Sequence, residues 1–249
     1  MDIDRRTLLW GLLGGAAVVG PEPAAADAQA GAPDPSVYIP KAHLVEDRAF
    51  LHAFMDEYGF VDLVTTTPTL RITHIPSVVD RAQGRFGTIF GHISAQNDQR
   101  QAIAAGARAV IVFRGPHGYV SPGWLATPAG QRGVPTWNLS VVHASGRLKP
   151  IDDPPRKHAL LTGLIAKYER SIGGTTYDFA ALPMDEVLTR MKGIQPFEME
   201  IEAPEGKFKL FQERPEPDKQ AMLAQFRRGA YEERSLLAFT EYFYKAAPK

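Results

Sequence analysis

The sequence predicts a mostly β protein, an antiparallel sheet closed into a barrel with helices packed outside it. Three observations carry this. Between Phe60 and Leu148 the chain falls into short apolar or alternating runs separated by Gly, Pro or Asn. Glycine (22) and proline (20) make up about one residue in six of the 249, which favours turns over long helices. Helical spacing of apolar residues is confined to the flanks of that central stretch.

The elements follow in order. Residues 46–58 place Phe50, Leu51, Phe54, Met55 and Tyr58 at helical spacing, an amphipathic helix. Strands are expected at 61–66, 70–79, 86–93, 109–113 and 136–148, with one short helix between Asn97 and Gly106. Asp152-Asp153-Pro154-Pro155 reads as a helix start, acids at the cap and proline in the first turn, and Leu160, Leu161, Leu164, Ile165 and Tyr168 share a face beyond it. A short helix over 182–191 precedes returning strands at 193–201 and 207–211. A last helix carries Leu236, Phe239 and Phe243. As a strand, the segment from Gly206 aims Lys207, Lys209 and Phe211 to one side.

Composition excludes whole classes. With 28 Lys+Arg against 28 Asp+Glu the chain has no electrostatic footprint for nucleic acid, and no helix-turn-helix is evident, so direct nucleic-acid binding is not expected. The absence of cysteine removes disulfides, thiolate chemistry, iron–sulfur clusters and Cys-ligated zinc. At 44% hydrophobic and 22% charged the chain is an ordinary globular one.

The first thirty residues read as an address. Asp4-Arg5-Arg6-Thr7-Leu8-Leu9 resembles a twin-arginine export signal. The apolar run from Leu8 to Val19, at 12 residues, is shorter than the roughly 20 that span a bilayer. Ala24-Ala25-Ala26 and Ala28-Gln29-Ala30 fit the small-x-small cleavage rule. The expected organisation is a signal peptide over 1–30, a barrel domain over 31–219 and a helical extension over 220–249. The expected partner is the twin-arginine export machinery and the expected location periplasmic or otherwise exported. That route moves folded proteins, so it raises the expectation of a bound cofactor.

No G-x-G-x-x-G, P-loop, H-E-x-x-H or G-x-S-x-G is present. A nucleotide cofactor would therefore be held by strand-borne groups. His74, His92, His117 and His143 sit in or beside strands, but none forms an i, i+2 or i, i+4 pair, so no metal site is expected. Trp137 and Asn138 offer an apolar wall and an amide edge for a flat ring, and Lys207 with Lys209 offers point charges for a phosphate. Each of these has a plain structural reading beside it: a hydrogen-bonded sheet histidine, a core tryptophan, a solvated lysine-rich edge strand. No catalytic acid, base or nucleophile is identified.

Together the segments resemble the PaiB-like family of FMN-binding split-barrel proteins, described as FMN-binding negative transcriptional regulators. The matching pieces are Tyr38-Ile39-Pro40-Lys41, Thr73-His74-Ile75-Pro76, Gly91-His92 with Asn97, the run from Phe113 through Gly115-Pro116-His117 to Trp124, Val134-Pro135-Thr136-Trp137-Asn138 with His143, and Lys209-Leu210-x-Gln212. They run in order from Tyr38 to about Lys219. The chain has Asn97-Asp98 where the family usually has Asn-Pro, Trp124-Leu125 where it has Trp-Tyr, and Phe211 and Glu213 where Ser and Asn flank the glutamine. The resemblance implies an FMN-binding split β-barrel, a homodimer with flavin at the interface, and a cofactor site of His74, His92, His117, Trp137, Asn138, Lys207, Lys209 and Gln212. The function it implies, joined to the leader, is an exported flavin-binding protein acting as a flavin-dependent oxidoreductase. The alternative is an FMN-binding regulator or ligand-sensing module without catalysis. A haem-handling split barrel is a third reading, suggested by the histidines alone.

Overall fold

The computed structural model describes residues 35–173, 177–229 and 231–246; the export signal expected over 1–30 lies outside them. The chain divides into two compact units. The first, Asp34–Gly115 with Leu139–Lys209, holds the barrel. The second takes Pro116–Asn138 and the chain from Leu210 onward.

In the barrel unit the strands are β1 (Leu44–Val45), β2 (Phe60–Thr65), β3 (Arg71–Asp80), β4 (Thr88–Ser94), β5 (Arg108–Val120), β6 (Thr136–Pro150), β7 (Ile194–Glu200) and β8 (Ala203–Lys209), of which β5 and β6 run on into the second unit. The sheet order is β1-β8-β6-β5-β2-β3-β4-β7, and β7 pairs again with β6. Six strands thus close a ring, from which β8 and β1 continue as a side sheet. The pairings whose register is resolved are antiparallel, as the periodicity predicts. Alternation decides the faces. Val61, Leu63, Ile75, Ile89, Ile93, Ile111, Phe113, Phe197 and Met199 turn inward and are buried.

The long strand β6 serves two partners. Its residues 139–145 pair with β8 and its residues 148–150 with β7. Gly146 stands at the change, where a Cβ would lie 2.3 Å from the Glu200 carbonyl oxygen. The close approach of β7 therefore requires glycine there.

Helix α1 (Arg48–Glu57) starts where the Asp47 carboxylate accepts the Phe50 N–H at 2.7 Å. It buries Phe50, Leu51, Phe54 and Met55, and two of these rings meet Phe208 edge-on at 5.2 and 5.0 Å. The short helix α2 (Arg100–Ala104) follows β4. Helix α4 (Pro154–Ser171) is capped by Asp153 and lays Leu160 and Leu164 with Ile151 over Val78 and Phe90. Its Lys167 Nζ donates to the Ser77 carbonyl at 3.1 Å, beside Gly59, where a side chain would collide. Helix α5 (Met184–Met191) completes this unit.

The second unit contains α3 (Pro128–Gln131), α6 (Glu216–Arg228) and α7 (Tyr231–Ala246). The helical extension expected over 220–249 is two helices, and the first begins at Glu216, ahead of the boundary expected at 219. Phe211 does not continue β8. The strand ends at Lys209, and Phe211 is buried with φ 68°, a left-handed turn residue.

Candidate functional site

The expected residues fall in both units, and each unit gathers its own. In the barrel, register makes Asp62 on β2 the direct partner of His74 on β3. His74 Nδ1 lies 2.5 Å from Asp62 Oδ1, and Arg114 of β5 donates to Asp62 Oδ2 at 2.8 Å. The carboxylate side chain is 16% exposed, while His74 and Arg114 are 60% and 62% exposed. A carboxylate only accepts, so Nδ1 carries the hydrogen and Nε2 is the nitrogen left to the solvent side.

His92, on the neighbouring strand β4, is half-buried. Its Nδ1 is buried without a hydrogen-bond partner, and burial pushes its pKa below the usual histidine range.

Where β2 ends and β3 begins there is a cavity of about 240 Å³. Its polar lining includes Thr65, Thr67, Thr69, Arg71, Asp98 and Gln99. Gln99 is 1% exposed and organises the floor. Its Nε2 donates to the Leu63 carbonyl at 3.1 Å and to Thr65 Oγ1 at 3.0 Å, while Thr73 Oγ1 donates to its Oε1. Asn97 Nδ2 donates in turn to Thr73 Oγ1 at 2.9 Å. Hydroxyls, an amide network and the Arg71 guanidinium can donate to a phosphate, and the Asp98 carboxylate can accept from the hydroxyls of a polyhydroxylated chain.

Lys207 and Lys209 lie on β8, four strands from β3, roughly 19 Å along the sheet at about 4.8 Å per strand. Lys207 Nζ sits 5.8 Å from the centre of the Tyr38 ring. Beside it the segment from residue 35 straps down. Ser36 Oγ donates to Glu205 Oε2 at 2.6 Å and lies 2.9 Å from His143 Nδ1. Within the barrel the lysine strand β8 pairs with β1 and β6, not with the β3–β4 pair that carries His74 and His92.

In the second unit His117, Trp137 and Tyr119 form an exposed aromatic group. The His117 and Trp137 rings are 6.1 Å apart and tilted by 34°, and Tyr119 stands edge-on to Trp137 at 6.2 Å. Trp137 is 54% exposed, so it is not the core tryptophan of the plain reading. Asn138 is fully buried instead. Its Nδ2 faces Met222 Sδ at 3.3 Å and its Oδ1 has no partner. Gln212 turns back and accepts the Leu210 N–H at 2.7 Å, a turn role.

Sequence reasoning missed Asp62, Arg71, Arg114, Gln99 and the cavity threonines. The threonines were visible as Thr65-Thr66-Thr67-Pro68-Thr69 directly before Arg71. Asp62 and Arg114 carry no signal until strand register pairs them with His74. Among the described residues no group of three or more His, Asp or Glu is placed to hold a metal.

A model of the family described as "Putative FMN-binding domain" matches residues 37–203. The protease synthase and sporulation protein PAI 2 of Bacillus subtilis is 29% identical over 183 residues, 73% of this chain and 85% of that protein. An uncharacterised protein of Aspergillus fumigatus is 27% identical over 202 residues, 65% of this chain and 77% of that protein. Among solved structures, the flavocytochrome Anf3 of Azotobacter vinelandii matches at 14% identity and a TM-score of 0.47, over 67% of this chain and 69% of that one. The FAD and heme binding protein of Mycobacterium smegmatis matches at 12% identity and a TM-score of 0.45, over 72% and 78%.

Proposed function

The chain belongs to this FMN-binding domain family and is a flavin-binding protein; from that premise we propose that it is an FMN-dependent oxidoreductase. The observation that supports this most is that the family match spans β1 to β7 and reaches the first residue of β8. A bound FMN supplies hydride and single-electron chemistry that no side chain of this cysteine-free protein offers. The protein's part is to hold and orient it. The cavity at the start of β3 fits the polar end of such a cofactor, with Arg71 as the cation and Thr65, Thr67 and Thr69 as hydroxyl donors. His74 and His92, further along the β3–β4 face, are the groups assigned to its reactive end. We read the protein as a homodimer by family resemblance, and as exported on the strength of Arg5-Arg6 and the apolar run behind them.

Titration with FMN by fluorescence quenching tests the reading. Wild type should bind, and Arg71→Ala should weaken binding about ten- to a hundredfold, the worth of a charge-assisted hydrogen bond of roughly 1.5–3 kcal/mol. A tenfold loss from Lys209→Ala with none from Arg71→Ala would move the phosphate to β8. No binding by wild type would remove the flavin reading. Light scattering of the purified chain reads the oligomeric state.

A further inference from the structure

We propose that Asp62 and His74 form an acid–base site on the outer face of the barrel, at which His74 Nε2 delivers the proton that completes reduction of an apolar quinone acceptor. This rests on the flavin reading above, which supplies the hydride.

The geometry is that of an oriented imidazole. Asp62 and His74 are register partners, so the backbone itself holds them opposite one another. The 2.5 Å contact fixes the Nδ1–H form, and Nε2 is left on a side chain that is 60% exposed. Arg114 holds the other carboxylate oxygen at 2.8 Å, so Asp62 cannot swing away from the ring without breaking two contacts. An exposed ion pair contributes only about 0–1 kcal/mol to stability, which gives little structural reason for such an arrangement. The surroundings give a chemical one. On the same face Ile72 pairs with Val64 and Pro76 with Phe60, and Ile72 and Phe60 are 55% and 67% exposed. A charged centre in an apolar field suits a molecule with an apolar body and one oxygen to be protonated. The charged groups facing His74 are Asp62 from β2 and, through it, Arg114 from β5. His92 on β4 is the next titratable side chain on that face.

The step balances as follows. Hydride adds to one oxygen of the quinone, the ring's π electrons shift onto the other oxygen, and that oxygen takes the Nε2 proton of the imidazolium form of His74, which carries hydrogen on both nitrogens and is left as the Nδ1–H form held by Asp62. The Nε2–H bonding pair stays on the ring, and His74 regains its proton from water. A positioned general acid is worth typically 10²–10⁴-fold.

The test uses full-length protein saturated with FMN, photoreduced anaerobically and mixed with menadione in a stopped-flow instrument. His74→Gln should be about a hundredfold slower than wild type. Asp62→Asn, which keeps the imidazole but loses its orienting charge, should be slowed about tenfold. Nitrogen-15 NMR of wild type should show the Nδ1–H form of His74, and Asp62→Asn should shift the ring toward Nε2–H. Equal rates in His74→Gln and wild type, with FMN bound normally, would overturn the proposal and leave the flavin reading standing. A wild type that binds no FMN would end both, whatever the NMR shows of the tautomer.

Discussion

Asp218 is a residue whose charge is buried and fully used. It is 1% exposed, and its Oδ1 accepts the N–H groups of Ala126 and Thr127 at 2.9 and 2.8 Å while its Oδ2 accepts from Thr127 Oγ1. Burial opposes ionisation, but the hydrogen bonds from Thr127 and Ala126 together outweigh it and hold the carboxyl below its usual range. Its stabilisation is therefore present above the unfolded pKa of about 3.9 and is lost as pH falls through the lower folded value. Asp218→Ala leaves three donors unsatisfied and should cost about 2–4 kcal/mol in urea unfolding at pH 7. A cost under 0.5 kcal/mol would mean water replaces the carboxylate. Nothing in Pro215-Glu216-Pro217-Asp218 announces this role, because its partners lie some ninety residues earlier. The exposed Trp137 and the buried Asn138 carry the same lesson. One residue of a strand faces out and the next faces in, and the sequence motif holding both does not say which.

At the scale of elements, strand β6 is the piece on which the barrel turns. The apolar run 136–148 was legible as a strand. That it changes partners at Gly146 was not, because the reason is a neighbour, the Glu200 carbonyl, brought in by β7. Gly146→Ala should destabilise the protein by about 1–3 kcal/mol, the usual range for overpacking, read by thermal or urea unfolding. A neutral result would show that β7 can step back. Helix α7 is pinned at its far end by Tyr244, whose hydroxyl donates to the Leu210 carbonyl at 2.6 Å. Burial, with Glu213 and Glu216 adding to it, raises the Tyr244 pKa. Tyr244→Phe removes that donor and should cost about 1 kcal/mol.

The whole molecule carries several histidines that folding prefers neutral. Burial lowers the pKa of His52 and outweighs the Phe86 carbonyl that raises it. Burial likewise lowers His92, and lowers His143 against the opposing charge of Glu205. A histidine whose folded pKa lies below its unfolded value of about 6.5 contributes full stability above that value. The stability is lost as pH falls toward the folded pKa, by at most about 1.4 kcal/mol per pH unit for each group. The melting temperature should therefore drop as pH is lowered from 6.5, and His92→Gln should flatten part of that slope. An identical slope in the variant would show that His92 is protonated without penalty. The proposed export belongs to this scale too. Replacing Arg5 and Arg6 by Lys keeps the charge, so retention of the double variant in the cytoplasm is expected only if the arginine pair itself is recognised. Undiminished export would point to another route.

The sequence by itself determined the class of fold, most of the strands and helices and the family, because these depend on local periodicity, turn residues and motifs that stand in one stretch of chain. It also supplied His74 and His92 as candidates. The tertiary structure decided what those residues meet. Asp62 and Arg114 reach His74 only through antiparallel register across three strands, and the cavity of Arg71 and Gln99 exists only where β2, β3 and α2 converge. It also set Lys207 and Lys209 on a strand that pairs with neither β3 of His74 nor β4 of His92, since neighbours in a closed sheet are set by strand order rather than by distance along the chain.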